Sequence, residues 1–119
     1  MHELSLSMNI LDLVEQSVDR QQLGDVDEVT ISVGQLSGVD AGILEEALHM
    51  VASRTPISRT KWTMTIKPAA GSCGQCSAVY PMSYLWDLCP QCGGRASKIV
   101  EGDDLVVESI MMTDKRIDR

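Results

Sequence analysis

A chain of 119 residues with 44% hydrophobic and 23% charged residues fits one globular domain with room for a small insertion. Its formal net charge of −7 argues against nucleic acid as a partner, because phosphate binding needs a cationic surface. Phenylalanine is absent, so the core is expected to come from Leu, Ile, Val and Met.

The first segment, from residue 3 to about 22, carries Leu4, Met8, Leu11, Val14 and Val18 at steps of three and four, which predicts a helix with those residues on its inner face. It lacks a basic leader, and Glu3 and Asp12 interrupt its apolar residues. Neither a signal peptide nor a membrane span is expected, and the default location is cytoplasmic. Gly24 sits where that helix should end. Val29, Ile31 and Val33 alternate with Thr30 and Ser32 as in a half-buried strand, followed by a turn-rich link from Gly34 to Gly38. Asp40 is a good N-cap for a second helix carrying Ile43, Leu44, Ala47, Leu48 and Val51, which Pro56 forces to stop near Arg54. A second strand carries Trp62, Met64 and Ile66, and Pro68 closes it. A cysteine segment runs from about 72 to 95, and a last strand spans Leu105 to Met112. The tail beyond is mixed in charge and expected to be mobile.

The cysteines read Cys73-x2-Cys76, then twelve residues, then Cys89-x2-Cys92. Two residues between cysteines let both sulfurs of a pair reach one ion from a tight turn, and two such turns complete a tetrahedron. Gly74, Pro90, Gly93 and Gly94 supply turn chemistry around them. A closed four-thiolate shell has no place for substrate, so Zn(II) there would be structural, with Tyr80, Tyr84, Leu85 and Trp86 packing around the sulfurs. Rubredoxin-like iron uses the same four ligands, and a redox CxxC site is a further alternative. Residues 69–97 hold one acid, Asp87, and one base, Arg95, so this is not a basic finger.

His2 directly follows the initiator. Methionine aminopeptidases remove Met only before small residues, so Met1 is expected to stay. The α-amine, the His2 amide and the imidazole Nδ1 then form fused chelate rings, and the Glu3 amide or carboxylate can add a fourth donor. A nitrogen-rich, square-planar set of this kind suits Ni(II) or Cu(II).

Other candidates have simpler explanations. His49 falls at the edge of its helix's inner stripe and is expected to be a surface or boundary residue rather than a ligand. The seven methionines are scattered, and core filling explains them better than copper handling. Capping explains Asp40 without a nickel role, and Glu45 and Glu46 read as a solvated helix face. There is no nucleophile–base pair and no Gly-rich phosphate loop, so the chain is not expected to be an enzyme.

MHELSL at the start, ISVGQLSGVD after the first helix and the paired CxxC motifs together resemble the HypA/HybF family of hydrogenase nickel-incorporation proteins across nearly the whole chain. The resemblance implies a nickel metallochaperone that delivers Ni(II) to the large subunit of [NiFe]-hydrogenase. It implies work with a HypB-type GTPase and, for some members, service to urease maturation. The family's nickel site maps to Met1, His2 and Glu3, and its zinc site to Cys73, Cys76, Cys89 and Cys92. Ser7 stands where relatives often have Cys, and the cysteine segment holds no histidine, unlike that of some relatives.

The expected architecture is α+β. Two helices pack on a small three-stranded sheet, forming a nickel-binding domain of residues 1–68 and 98–119. A zinc-ribbon-like subdomain of residues 69–97 is inserted in it. The rival readings are a structural zinc-ribbon adaptor that binds only protein and a thiol oxidoreductase.

Overall fold

The structure is a computed structural model, and it describes residues 3–113. Helix α1 spans Glu3–Ser17, and a 3-10 helix follows at Arg20–Asp25. Strand β1 spans Val26–Gly34, helix α2 Ala41–Ala52 and strand β2 Lys61–Lys67. Three shorter strands follow: β3 at Ala69–Cys73, β4 at Val79–Met82 and β5 at Ala96–Glu101. Strand β6 closes the order at Leu105–Met112. The chain is a mixed α+β fold with two three-stranded sheets, ordered β2-β1-β6 and β4-β3-β5. No described helix is long and apolar enough to cross a membrane.

The chain divides into two compact units. One takes Met1–Ile31, Asp40–Thr65 and Val107–Arg119; the other takes Ser32–Val39 and Ile66–Val106.

In the first unit, α1 packs on α2. The inner face of α1 is Ser7, Ile10 and Val14, and not the stripe of Leu4, Met8, Leu11, Val14 and Val18 that the spacing suggested. Leu4 and Met8 are exposed, while the buried Ser7 hydroxyl donates to the Leu4 carbonyl at 2.6 Å, which satisfies it. The helix also ends before residue 22. Asp19 adopts an extended backbone, with φ −57° and ψ 134°, and the chain re-enters a tighter 3-10 turn that contains Gly24.

Helix α2 starts as its sequence requires. The Asp40 carboxylate accepts from the Ile43 N–H at 3.0 Å, a side-chain N-cap. Leu44, Ala47, Leu48 and Ala52 face inward, whereas Ile43 points out. His49 lies at the surface as expected, with Nε2 at 3.8 Å from the Glu45 carboxylate one turn back. The central strand β1 buries Val26, Val29, Ile31 and Val33. The Thr60 hydroxyl donates to the Val26 carbonyl at 2.9 Å, and the Thr63 hydroxyl donates to Glu28, tying β2 and the loop before it to β1.

Methionine does not fill the core as the composition suggested. Met82 is buried, but Met8, Met50 and Met111 are exposed. The β-branched residues of β1 and the leucines of α2 already supply the inner surface.

The second unit is larger than the cysteine segment alone. Strand β3 pairs antiparallel with both β4 and β5, in registers that include Gly71↔Tyr80 and Ser72↔Lys98. The limit expected at residue 97 therefore falls inside β5. The end of β1 and the residues after it join by backbone bonds: Gly34 N–H to the Asp104 carbonyl at 2.8 Å, Gln35 N–H to Lys67 at 2.9 Å and Leu36 N–H to Gly102 at 2.8 Å. These bonds explain the glycine of the Val-Gly-Gln-Leu-Ser-Gly run. A Cβ at Gly34 would collide with the Gly102 carbonyl, so only glycine admits the approach. A small apolar cluster of Cys73, Tyr80, Met82 and Cys89 lies at the centre of this unit, with Leu36, Ala78, Ala96 and Ile99 packed against it.

Candidate metal centres

Cys73 ends β3, and Cys76 lies in the turn that leads toward β4. Cys89 and Cys92 lie in the turn before β5. All four sulfurs lie within 4.8 Å of one another, with Cys73 to Cys92 at 3.4 Å and Cys76 to Cys89 at 3.7 Å. A tetrahedral ion with metal–sulfur bonds of about 2.3 Å requires sulfurs about 3.8 Å apart, so the set has the dimensions of one tetrahedral site.

The two knuckles share one backbone pattern. Cys73 N–H donates to the Ala78 carbonyl and Cys89 N–H to the Gly94 carbonyl, both at 2.8 Å. Ser77 N–H returns to the Cys73 carbonyl at 3.2 Å, and Gly93 N–H returns to that of Cys89 at 2.8 Å. The residue after each second cysteine is left-handed, Ser77 at φ 64° and Gly93 at φ 74°. Glycine signals that need in the second knuckle; serine hides it in the first. Replacing Ser77 by Gly should remove a left-handed penalty of roughly 1–2 kcal/mol, offset in part by glycine's greater freedom when unfolded. Denaturant unfolding of metal-loaded S77G should show a gain of about 0.5–1 kcal/mol with metal content unchanged.

The sulfurs have an electrostatic demand. Backbone N–H groups of Cys76 and Gln75 lower the Cys73 thiol from 9.0 to about 6. At Cys92 the Gly94 N–H also lowers the thiol, but the neighbouring sulfurs, Cys73 foremost, and burial together raise it to about 12. One thiolate is favoured here and the next is opposed by it. A bound cation would relieve that opposition between Cys73 and Cys92, as expected of ligands for a dication.

Sequence reading missed Asp87 as an organiser. Its Oδ2 accepts from the N–H groups of Ser83 at 2.7 Å and Tyr84 at 3.1 Å, and its own N–H donates to the Tyr84 carbonyl at 3.1 Å. The Tyr80 hydroxyl donates to the Asp87 carbonyl at 3.1 Å. This lattice fixes the turn between β4 and the second knuckle. Tyr80 packs beside the sulfurs, but Tyr84, Leu85 and Trp86 are exposed and do not pack around them as expected. Asp fits the position because one carboxylate oxygen can accept from two successive amides.

Of the N-terminal candidates, Met1 and His2 lie outside the described residues. Glu3 opens α1, and its carboxylate accepts from the Asp40 backbone N–H at 3.1 Å. The structure thus brings the first turn of α1 to the N-cap of α2, so Asp40 does lie beside the first turn of a neighbouring helix. Asp40 is engaged twice, its N–H toward Glu3 and its carboxylate toward Ile43.

The family model described as "Hydrogenase/urease nickel incorporation, metallochaperone, hypA" matches residues 1–112. The chain belongs to the HypA family. Among curated members, the hydrogenase maturation factor HypA of Parabacteroides distasonis is 34% identical over 112 residues, which cover 94% of this chain and 97% of that protein. The hydrogenase maturation factor HypA of Geobacter sulfurreducens is 28% identical, with 92% and 97% covered. The solution structure of the Ni metallochaperone HypA from Helicobacter pylori superposes with a TM-score of 0.68 at 20% identity, covering 97% of this chain and 100% of that one. That likeness shows a HypA fold. This HypA-family chain is thus a member of a nickel-metallochaperone family and carries a four-cysteine site that can hold a metal. A metallochaperone carries its ion without turning it over, so it is not an enzyme in the usual sense.

Proposed function

We propose that this chain binds Ni(II) at Met1, His2 and Glu3 and delivers it for maturation of [NiFe]-hydrogenase, in the cytoplasm, while Zn(II) at Cys73, Cys76, Cys89 and Cys92 holds the second unit together. The observation that carries the reading is the family match, which begins at residue 1 and so includes Met-His-Glu. The hydrogen bond from the Asp40 N–H to Glu3 supports it, because it pins the third residue of that motif against α2.

The chain's own atoms supply the binding chemistry. The Met1 amine, the His2 amide nitrogen and the imidazole Nδ1 are consecutive donors that close a five- and a six-membered ring. Nitrogen donors in that arrangement favour Ni(II) and Cu(II) over hard ions. The amide must lose its proton to bind, so nickel is released as protons return. An ion held by a chain end is also reachable by a competing ligand set, as a delivery role requires. The four thiolates favour a soft or borderline ion and, with every position filled, leave no site for water or substrate. Zinc there supplies structure and no chemistry.

The partners that fit are a HypB-type GTPase, since no phosphate loop exists in this chain, and the hydrogenase large subunit that receives the ion. Urease is a further destination for the nickel, one that the family description names beside hydrogenase, and urease maturation factors would then be partners. Nickel titration of the native chain, of His2→Ala and of an N-terminally extended form tests the site.

A further inference from the structure

The first unit has more apolar surface than its core uses. Leu4 and Met8 are one turn apart on α1 and are 43% and 54% exposed. Ile43 and Met50 on α2 are 52% and 63% exposed. Ile43, Ala47 and Met50 follow the i, i+4, i+7 spacing of one helical stripe. The packed helices enclose a groove of about 370 Å³ lined by Glu3, Leu4, Ile43, Glu46, Ala47 and Met50. Among the described residues, none that lines it is basic. Large exposed side chains gathered along two adjacent helices mark an interaction surface more often than scattered ones do. Flexible methionines suit a surface that must accept a partner and let it go.

We infer that this groove receives an amphipathic helix of a partner protein, with an apolar stripe facing Leu4, Ile43 and Met50 and Arg or Lys residues flanking it. The inference rests on the nickel reading in one respect: Glu3 is both a wall of the groove and a proposed ligand, so the docked helix lies beside the cargo. Two packed helices presenting an apolar stripe form the surface that a third helix fills. The charge decides the partner's sign. Glu46 lines the groove and is exposed, on a chain of net charge −7. A second copy would bring two such acidic chains against one another across a two-fold interface, and an anionic lipid surface would meet the same repulsion. A basic helix meets neither obstacle.

The test uses the full chain and a synthetic helical peptide of about 18 residues, long enough to hold a helix, with Leu at i, i+4 and i+7 and Arg on both flanks. A second peptide carries Glu at the flanks. With methyl-labelled methionine, the Arg peptide should shift Met50, which lines the groove, and leave the buried Met82 unmoved. Ile43→Ser with Met50→Ser should weaken binding about ten-fold, and Glu46→Lys should weaken the Arg peptide while favouring the Glu peptide. Both changes fall on exposed side chains. Circular dichroism identifies any misfolded form, and Met50→Ser alone then replaces the double variant. Shifts confined to other methionines, equal binding of the two peptides, undiminished binding by Met50→Ser, or a chain that dimerises through these methyls would each overturn the inference. Nickel affinity separates it from the function proposed above. Groove variants should bind nickel as the native chain does, whereas His2→Ala should lose nickel and keep the peptide.

Discussion

Replacing Cys73 by Ser should empty the four-cysteine site and unfold the second unit. Bound zinc should fall from one equivalent to none, and amide protection across residues 66–106 should be lost. The reason is the thin apolar core. Of its four buried residues Tyr80 and Met82 are the large side chains, with Leu36 and Ile99 partly buried against them; Cys73 and Cys89 belong to the four-sulfur cluster. Two large buried side chains contribute about 1.5–3 kcal/mol each. A structural zinc contributes roughly 10–16 kcal/mol, which exceeds the whole stability of most small domains. The strands add little of their own, since β3 reads Ala-Ala-Gly-Ser-Cys and offers almost nothing to pack. Chelation or acid should give the same result as the mutation, because protons compete with metal for thiolates. Hydrogen exchange read by mass spectrometry, alongside metal analysis, settles the matter. A C73S chain that keeps protection at 66–106 without metal would show that the packing suffices.

His2→Ala should cost nickel affinity about a hundred-fold or more, since it removes one donor and one chelate ring together. An N-terminal extension should cost about as much by a different route. It turns the Met1 amine into an amide while leaving the imidazole in place. Isothermal titration alongside metal analysis separates the two effects from any change in the cysteine site, whose metal content should be the same in both variants as in the native chain. Equal nickel affinity in native, H2A and extended chains would remove the N-terminal site. The Glu3 variant is expected to be milder, and its effect mixed. Its carboxylate also holds the Asp40 N–H, so its loss disturbs the start of α2 as well as the proposed coordination.

The sequence was most legible where one residue type has one physical use. Asp40 signalled a cap and forms it, Pro56 and Pro68 marked ends, and the central β1 showed its alternation of Val and Ile. The cysteine cluster was legible because two pairs at that spacing favour a shared ion over a redox site, and their four sulfurs do gather at one point. The second sheet was not. Strand β3 has no β-branched residue, and β4 contains Pro81, which an edge strand tolerates but a pattern search rejects. Ser77 hides its left-handed backbone behind an ordinary side chain, and Asp87 works through backbone amides that no pattern displays. The inner face of α1 was misread for a different reason. Leu4 and Met8 fit a helical stripe, but the buried stripe runs through Ser7 instead. Periodicity records which residues share a face; it does not say whether that face meets the core or a partner.

The surface position of Met8, Met50 and Met111 makes the molecule sensitive to its oxidative history. Thioethers at the surface are the first to become sulfoxides, and a sulfoxide is polar and chiral where the thioether was apolar and pliable. Mild peroxide should add oxygen at these three residues before Met82, as peptide mass mapping would show. Two of the three lie on α1 and α2, so oxidation there would present a wetter outer helix face. Methionine sulfoxide reductases would then decide, in a cell, how long that face stays apolar.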